Sequence, residues 1–414
     1  MNRLQQQLKA PFFILLSLPA TAMGFALSVQ IAALSWILST QYNLDIHEVG
    51  IVWAAGPAAG IIGQVLIGLI SDKVWFWGGR RRPFILIGGT LAALSLLALP
   101  SIGALSELSG INVFIMAIMI ALTLDLAINI SFNPTRSIIA DVTPEGEKRT
   151  KGYTWMQTIS GMFGVLAYVI GASMGNYTLI YFGVGLVLIF SILPPLFITE
   201  PKELIISQAD NQIAATSTQT NFKQLYRIYF AHGFCWLGVQ TMFVYMYAYI
   251  SNVMEPMSND ATGQVIAISF AILNTVGFIL PASVLEPLAS KLGRVKVHTL
   301  CMFIMSVAYA GIVFFAFTPL VLYICMGIAG IGWAATVSLP FAIMTEKVDK
   351  KKMGLFMGIF NLSVVLPQLI VSFGFGQLIQ AYGNKNLIFI ICAIALALSA
   401  LLWTLVKEDV VDNR

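Results

Sequence analysis

The stretch "GLISDKVWFWGGRRR" (residues 68–82) has a counterpart half a chain away, "ASVLEPLASKLGRVK" (residues 282–296). Both place an acid eight residues before an arginine: Asp72 and Arg80 in the first stretch, Glu286 and Arg294 in the second. The two stretches are offset by 214 residues in a chain of 414. An internal repeat of this length predicts two halves of the same design.

The composition is that of a membrane protein. Hydrophobic residues make up 58% of the chain, charged residues only 10%, and the mean hydropathy is +0.85. A soluble domain carries about 25% charged residues. The composition therefore excludes a soluble protein, and we expect a lipid bilayer around the chain and no nucleic-acid partner.

Twelve apolar segments follow one another, and each is of a length typical of transmembrane helices. Their approximate spans are 11–40, 48–70, 83–101, 111–140, 153–174, 177–198, 224–253, 262–288, 297–317, 319–345, 354–381 and 386–406. The sequence predicts an all-α integral membrane protein with twelve transmembrane helices.

A polar stretch divides these segments into two sets of six. We predict an N-terminal half at residues 1–198, a cytoplasmic linker at 199–222 and a C-terminal half at 223–414. Of the 23 lysines and arginines, 20 lie at the termini or in the connections after even-numbered segments; the others are Arg227, near the start of the seventh segment, Lys385 and Arg136. Because basic residues favour the cytoplasmic side, both termini are predicted to be cytoplasmic.

The repeated acid–arginine stretches predict a cytoplasmic gate. An acid at the end of one helix can pair with basic residues of the next loop and with a neighbouring helix end, and such pairs can latch two halves together. Ordinary topology-setting charge at a membrane surface is the alternative interpretation. The predicted gate residues are Asp72, Arg80, Arg81, Arg82, Asp141, Glu286, Arg294 and Glu346.

The fourth segment contains both an acid and a base. At 100° per residue, Asp125, Asn129, Phe132 and Arg136 fall on one stripe of a helix. Asp125 and Arg136 are about 16 Å apart along the axis, so they cannot pair directly. Pro134 lies between them and frees a backbone carbonyl.

A charge at the centre of a bilayer costs at least about 2.5–3.5 kcal/mol, and this cost falls beside a water-filled cavity. A carboxyl group in such a place can also be neutral, so Asp125 is predicted to carry a proton. Arg136 offers a fork of donors that suits hydroxyl or carboxylate oxygens. The alternatives are an interhelical clamp for Asp125 and, for Arg136, a side chain that reaches the interface or pairs with Asp141.

Amides and aromatic rings are the other polar groups inside the apolar segments. Amides bind hydroxyl groups, and aromatic rings pack against the C–H faces of a sugar, so this set favours a neutral polyhydroxy ligand. Each amide can instead join two helices. The candidate ligand contacts besides Arg136 and Asn129 are Gln30, Trp53, Gln64, Gln157, Tyr247, Asn361 and Gln368.

At these residues the sequence resembles the major facilitator superfamily and, within it, the sucrose-transporter branch of the glycoside–pentoside–hexuronide cation symporters. The matching motifs are "WAAGPAAGIIGQVLIGLISD", "GGRRRPFI", "DLAINISFNPTRSIIAD" and "GLFMGIFNLSVVLPQLIVS". The resemblance covers almost the whole chain.

The resemblance implies proton-coupled uptake of an α-glucoside such as sucrose or maltose. It implies protonation at Asp125 and sugar binding at Arg136, which agrees with the stripe argument. The region that matches helix 7 reads "FVYMYAYISN" and lacks the Thr-Asp pair of plant relatives. The short central linker suggests a bacterial protein in the inner membrane, and a monomer is the default expectation for this fold.

Several alternatives stay open at this point. A proton-coupled antiporter or exporter fits the same fold, and a sugar sensor of transporter architecture would carry a further cytoplasmic domain. No nucleophile–base pair or metal-ligand spacing is present, so we expect no enzyme activity, no metal site and no cofactor. The sequence does not distinguish a proton from a sodium ion as the coupling ion.

Overall fold

The computed structural model describes residues 3–71, 74–144, 147–201, 220–348 and 353–408. Within these residues, regular structure is helical apart from a β-bridge between Phe76 and Gly79, so the all-α prediction is confirmed. The α-helices are α1 Arg3–Gln7, α2 Ala10–Thr40, α3 Ile46–Trp53, α4 Ala55–Ser71, α5 Arg82–Ala98, α6 Ile102–Ser109, α7 Val113–Val142, α8 Glu147–Met174, α9 Asn176–Phe197, α10 Phe222–Val253, α11 Asn259–Leu280, α12 Glu286–Leu292, α13 Arg294–Phe315, α14 Pro319–Thr345, α15 Met353–Ile370, α16 Gly376–Tyr382 and α17 Leu387–Trp403.

Many of these helices are long enough to span a membrane. In the described part of the chain, nine helical spans are long and apolar enough to cross a membrane, and α17 is a shorter apolar helix. The predicted total of twelve and the cytoplasmic termini stay predictions.

Two predicted segments differ from the observed helices. The segment predicted to end at 101 continues through a 3-10 turn at Leu99–Ser101 into α6. It stops where Gly110 adopts a φ of +72° and its N–H bonds to Ser106 O. The sequence becomes more polar after residue 101, so the hydrophobic pattern placed the end of this segment too early. The second predicted segment is interrupted at Ala54, between α3 and α4.

The chain divides into two compact units. The first comprises Met1–Ile205 with Ser258–Ile268, and the second comprises Ile206–Met257 with Ser269–Arg414. In the first unit α2 packs along α8, α9 and α7, and α5 packs on α7 and α9. The aliphatic side chains of Leu16, Ile85 and Ile139 are fully buried in this core.

The beginning of α11 belongs to the first unit. The Trp36 indole nitrogen donates to the carbonyl oxygen of Asn259 at 2.7 Å. A Cβ atom added at Gly263 would lie 3.0 Å from Trp36 Nε1 and 2.6 Å from Asn176 Nδ2. Glycine is therefore needed at 263 for this close approach.

In the second unit α13 packs along α14 and α17, and α10 packs along α17 and α15. Two of its long helices contain a π-turn. Pro281–Leu285 joins α11 to α12, and Val371–Phe375 joins α15 to α16. A π-turn holds one more residue than an α-turn, and such turns are frequent at functional sites.

Candidate functional site

Asp125 lies inside the first unit, on a helix that is continuous through Pro134. Its side chain is 7% exposed. Gln30 of α2 donates from Nε2 to Asp125 Oδ2 at 2.9 Å, and Gly56 of α4 brings its backbone close. A Cβ atom at 56 would be 3.3 Å from Asp125 Oδ1. Three helices thus enclose the carboxyl group.

Among the described side chains, Gln30 is the hydrogen-bond partner of Asp125 and no lysine or arginine pairs with it. The amide oxygen of Gln30, Oε1, is buried and has no hydrogen-bond partner among the described residues. An amide can donate to a carboxylate or, after rotation, accept from a carboxylic acid. The site can therefore hold the carboxyl group in either protonation state.

The rest of the polar stripe lies along the same helix. Asn129 Nδ2 donates to Asp125 O at 2.8 Å, so this amide bonds to the backbone. The Arg136 guanidinium carbon lies 4.0 Å from the centre of the Phe132 ring, a cation–π contact. Tyr153 donates to the Arg136 carbonyl oxygen at 3.3 Å. Arg136 itself is exposed.

In the first unit, two of the predicted gate residues, Arg81 and Asp141, form a largely buried ion pair. Arg81 Nε lies 3.0 Å from Asp141 Oδ2, and Arg81 Nη1 donates to Ser71 at 2.8 Å. The carboxylate of Glu200 accepts the backbone N–H groups at the start of α5: those of Arg80 and Arg81 at 2.8 Å each, and that of Arg82 at 2.7 Å. A carboxylate at a helix N-terminus satisfies unpaired donors and matches the helix dipole.

In the second unit a similar cluster stands at the start of α13. Arg294 Nη1 pairs with Glu346, and the backbone N–H of Arg294 bonds to Glu408. Gly293, with a φ of +93°, precedes the helix. Glu286 is exposed and lines a cavity of about 760 Å³ together with Arg294, Glu346 and Glu408. Each of the two ion pairs joins residues of a single unit, one pair in each unit. The latch between the halves therefore stays a prediction.

Sequence reasoning missed Glu200, which falls in the predicted linker, and Glu408, which follows the last predicted segment. Next to each of these two acids, a glutamine forms hydrogen bonds to the backbone of the residue that precedes the acid in the chain. Gln5 exchanges two hydrogen bonds with the backbone of Thr199, at 2.8 and 2.9 Å. Gln224 Oε1 accepts the N–H of Lys407 at 2.8 Å. An acid shortly after the last helix of each half was the signal available in the sequence.

The remaining candidates are divided between the two units. In the first unit, Trp53 Nε1 donates to Ser35 at 2.8 Å; in the second, Gln368 Nε2 donates to Gln240 at 3.1 Å. Asp72 and the side chain of Gln64 lie outside the described residues. Of the remaining candidates, Gln157, Tyr247 and Asn361 have side chains with no hydrogen bond to another described residue.

Comparison with known proteins gives consistent matches. The Major Facilitator Superfamily model matches residues 16–372. A sucrose transport protein of Arabidopsis thaliana is 26% identical over 86% of this chain and 82% of its own length. A general alpha-glucoside permease of Schizosaccharomyces pombe is 34% identical, over 29% of this chain and 23% of its own. The solved structure of the xylose transporter XylE from E. coli superposes with a TM-score of 0.73 at 14% identity, covering 97% of both chains.

Proposed function

Because the chain belongs to the Major Facilitator Superfamily, we propose that it is a secondary transporter that couples inward proton movement to uptake of a disaccharide or another α-glucoside. Sucrose and maltose are the first candidate substrates. The similarity to a sucrose transport protein along most of the chain supports a sugar as substrate. The shorter match to an alpha-glucoside permease supports the wider class.

The pair of Asp125 and Gln30 is the observation that carries the proton-coupling proposal. A carboxyl group that is 7% exposed, with an amide as its described partner, can gain or lose a proton without breaking an ion pair. Rotation of the amide provides a matching hydrogen bond for each state. Protonation then changes the net charge of α7 while the local packing is kept.

Arg136 is the proposed sugar-binding group. Its guanidinium rests on the Phe132 ring, and its N–H groups have no acceptor among the described residues. Guanidinium N–H groups are donors that suit hydroxyl oxygens. The further candidate sugar contacts are Asn129, Gln30, Trp53, Gln64, Gln157, Tyr247, Asn361 and Gln368.

Alternating access would connect protonation of Asp125 with sugar binding at Arg136. If protonation of Asp125 and sugar binding at Arg136 both favour the same conformational change, neither ligand alone crosses efficiently. One proton moving through 100 mV supplies about 2.3 kcal/mol. That energy supports a concentration ratio of about fifty.

The test is uptake of labelled sucrose and maltose into proteoliposomes, with a proton gradient and with the gradient collapsed. We expect one sugar to accumulate only with the gradient. Asp125→Asn, which keeps the shape of the side chain, should abolish accumulation and leave exchange of sugar across the membrane intact. Glu107→Gln, which changes an exposed acid in α6, is the matched control and should accumulate sugar normally.

Undiminished uphill uptake by Asp125→Asn would overturn the coupling assignment. Movement of neither sugar under any gradient would overturn the substrate class. Proton-driven efflux of another compound would favour the exporter. The bacterial inner membrane and a monomeric state stay predictions, whereas a multi-pass membrane location follows from the family and the apolar helices.

A further inference from the structure

A groove of about 710 Å³ runs between α13 and α17 in the second unit. Its volume is within the range of ligand sites, about 300–1,000 Å³. None of the residues discussed as candidate sugar contacts lines it. The groove is therefore a separate candidate site.

Most of the groove is apolar and faces outward. Leu300, Phe303 and Leu401 line it and are 49%, 57% and 64% exposed. Lys296, Leu300 and Phe303 are spaced i, i+4 and i+7, so they share one face of α13. On α17 the small side chain of Ala397 leaves space one turn before Leu401. Apolar side chains that are exposed on a transmembrane helix meet lipid chains.

One end of the groove carries opposite charges. Lys296 lies two residues after the start of α13, and Glu408 follows α17. Lys296 is exposed and has no partner among the described residues. Glu408 uses Oε1 to accept the Arg294 N–H, which leaves its second oxygen able to accept another donor.

We propose that this groove binds a phospholipid with a primary-ammonium headgroup, of the phosphatidylethanolamine class. The acyl chains lie against Leu300, Phe303 and Leu401, the phosphate pairs with Lys296, and the ammonium group donates to Glu408. A purely anionic headgroup would place negative charge beside Glu408. A quaternary ammonium has no N–H to donate. The site does not depend on which substrate is transported.

The experiment is native mass spectrometry of the purified full chain after exchange into mixtures of phosphatidylethanolamine, phosphatidylglycerol and phosphatidylcholine. The wild type should retain phosphatidylethanolamine in preference to the other two. Lys296→Gln should lower that retention about fivefold, the effect of one basic residue on phosphate binding. Lys296→Arg should keep it.

Two further variants control for charge and for the groove itself. Lys291→Gln removes an exposed lysine of α12 that does not line the groove, and it should retain lipid like the wild type. Ala397→Phe fills the groove and should lower retention while Lys296 stays in place. Equal retention by Lys296→Gln and the wild type would overturn the proposal. So would an equal loss in Lys291→Gln, or equal retention of all three lipids by the wild type.

Discussion

The two arginine–acid clusters have the same parts and different environments. In the first unit the side chains of Arg81 and Asp141 are 7% and 10% exposed. In the second unit those of Arg294 and Glu346 are 46% and 34% exposed. In each cluster a second acid accepts a backbone N–H at the N-terminus of a helix. Glu200, which follows α9, does so at the start of α5, and Glu408, which follows α17, does so at the start of α13.

The difference in exposure changes what each cluster contributes to stability. A buried charge that loses its partner costs about 3–5 kcal/mol, whereas an exposed ion pair contributes about 0–1 kcal/mol. Removing one partner of the buried pair should therefore strongly destabilise the first unit. The second cluster should tolerate substitution. Because its charged side chains are exposed, they are also accessible for other contacts.

Removal of the arginine is expected to show the largest contrast. Arg81→Met leaves Asp141 buried and unpaired, so we expect the apparent melting temperature in detergent to fall by more than about 6 °C. Arg294→Met is the matched variant, and its melting temperature should change by less than about 4 °C.

A double variant separates lost pairing from lost packing in the buried cluster. Arg81→Met with Asp141→Leu replaces both charges by apolar groups, so it should recover much of the stability that Arg81→Met loses. Similar melting temperatures for Arg81→Met and Arg294→Met would contradict the assigned difference between the clusters.

The helix-capping acids give a smaller contrast. Glu200→Gln keeps the size of the side chain and removes the charge that three backbone N–H groups share. We expect a loss of about 1.5–3 kcal/mol, because hydrogen bonds to a charged group are the stronger ones. Glu408→Gln removes a less enclosed charge and should cost about 1 kcal/mol or less. Chemical denaturation of both variants measures the difference, and a larger loss in Glu408→Gln would reverse the comparison.

The glutamines should give the smallest contrast between the two units. Gln5→Ala removes two hydrogen bonds to Thr199 and should cost about 1–2 kcal/mol. Gln224→Ala removes one bond, to Lys407, and should cost about half as much. Hydrogen exchange of the segments around Thr199 and Lys407 measures each effect locally. Unchanged exchange around Thr199 in Gln5→Ala would show that the glutamine does not hold the segment.

Hydropathy and charge placement predicted the helical segments because each depends on local sequence. The repeated spacing predicted a cytoplasmic gate of arginines and acids, and the gate stays a prediction. The contact between Gln30 and Asp125 joins residues 95 positions apart. Its formation depends on how α2 packs against α7, which no local pattern encodes.

The capping role of Glu200 was hidden for the same reason. Its partners lie about 120 residues earlier in the chain, and an acid in a polar linker reads as a solvated charge. The interruption at Ala54 changes the helix geometry without ending the apolar pattern, so hydropathy did not detect it.

The two π-turns bear on the evolutionary history of the repeat. Each turn accommodates one extra residue within a helix that otherwise continues. An insertion of one residue in a plain α-helix would rotate every later side chain to a new face, but a π-turn confines that rotation to one place. A structure-based alignment of the two halves should therefore place single-residue gaps opposite 281–285 and 371–375, and the acid–arginine spacing could be kept on either side of them.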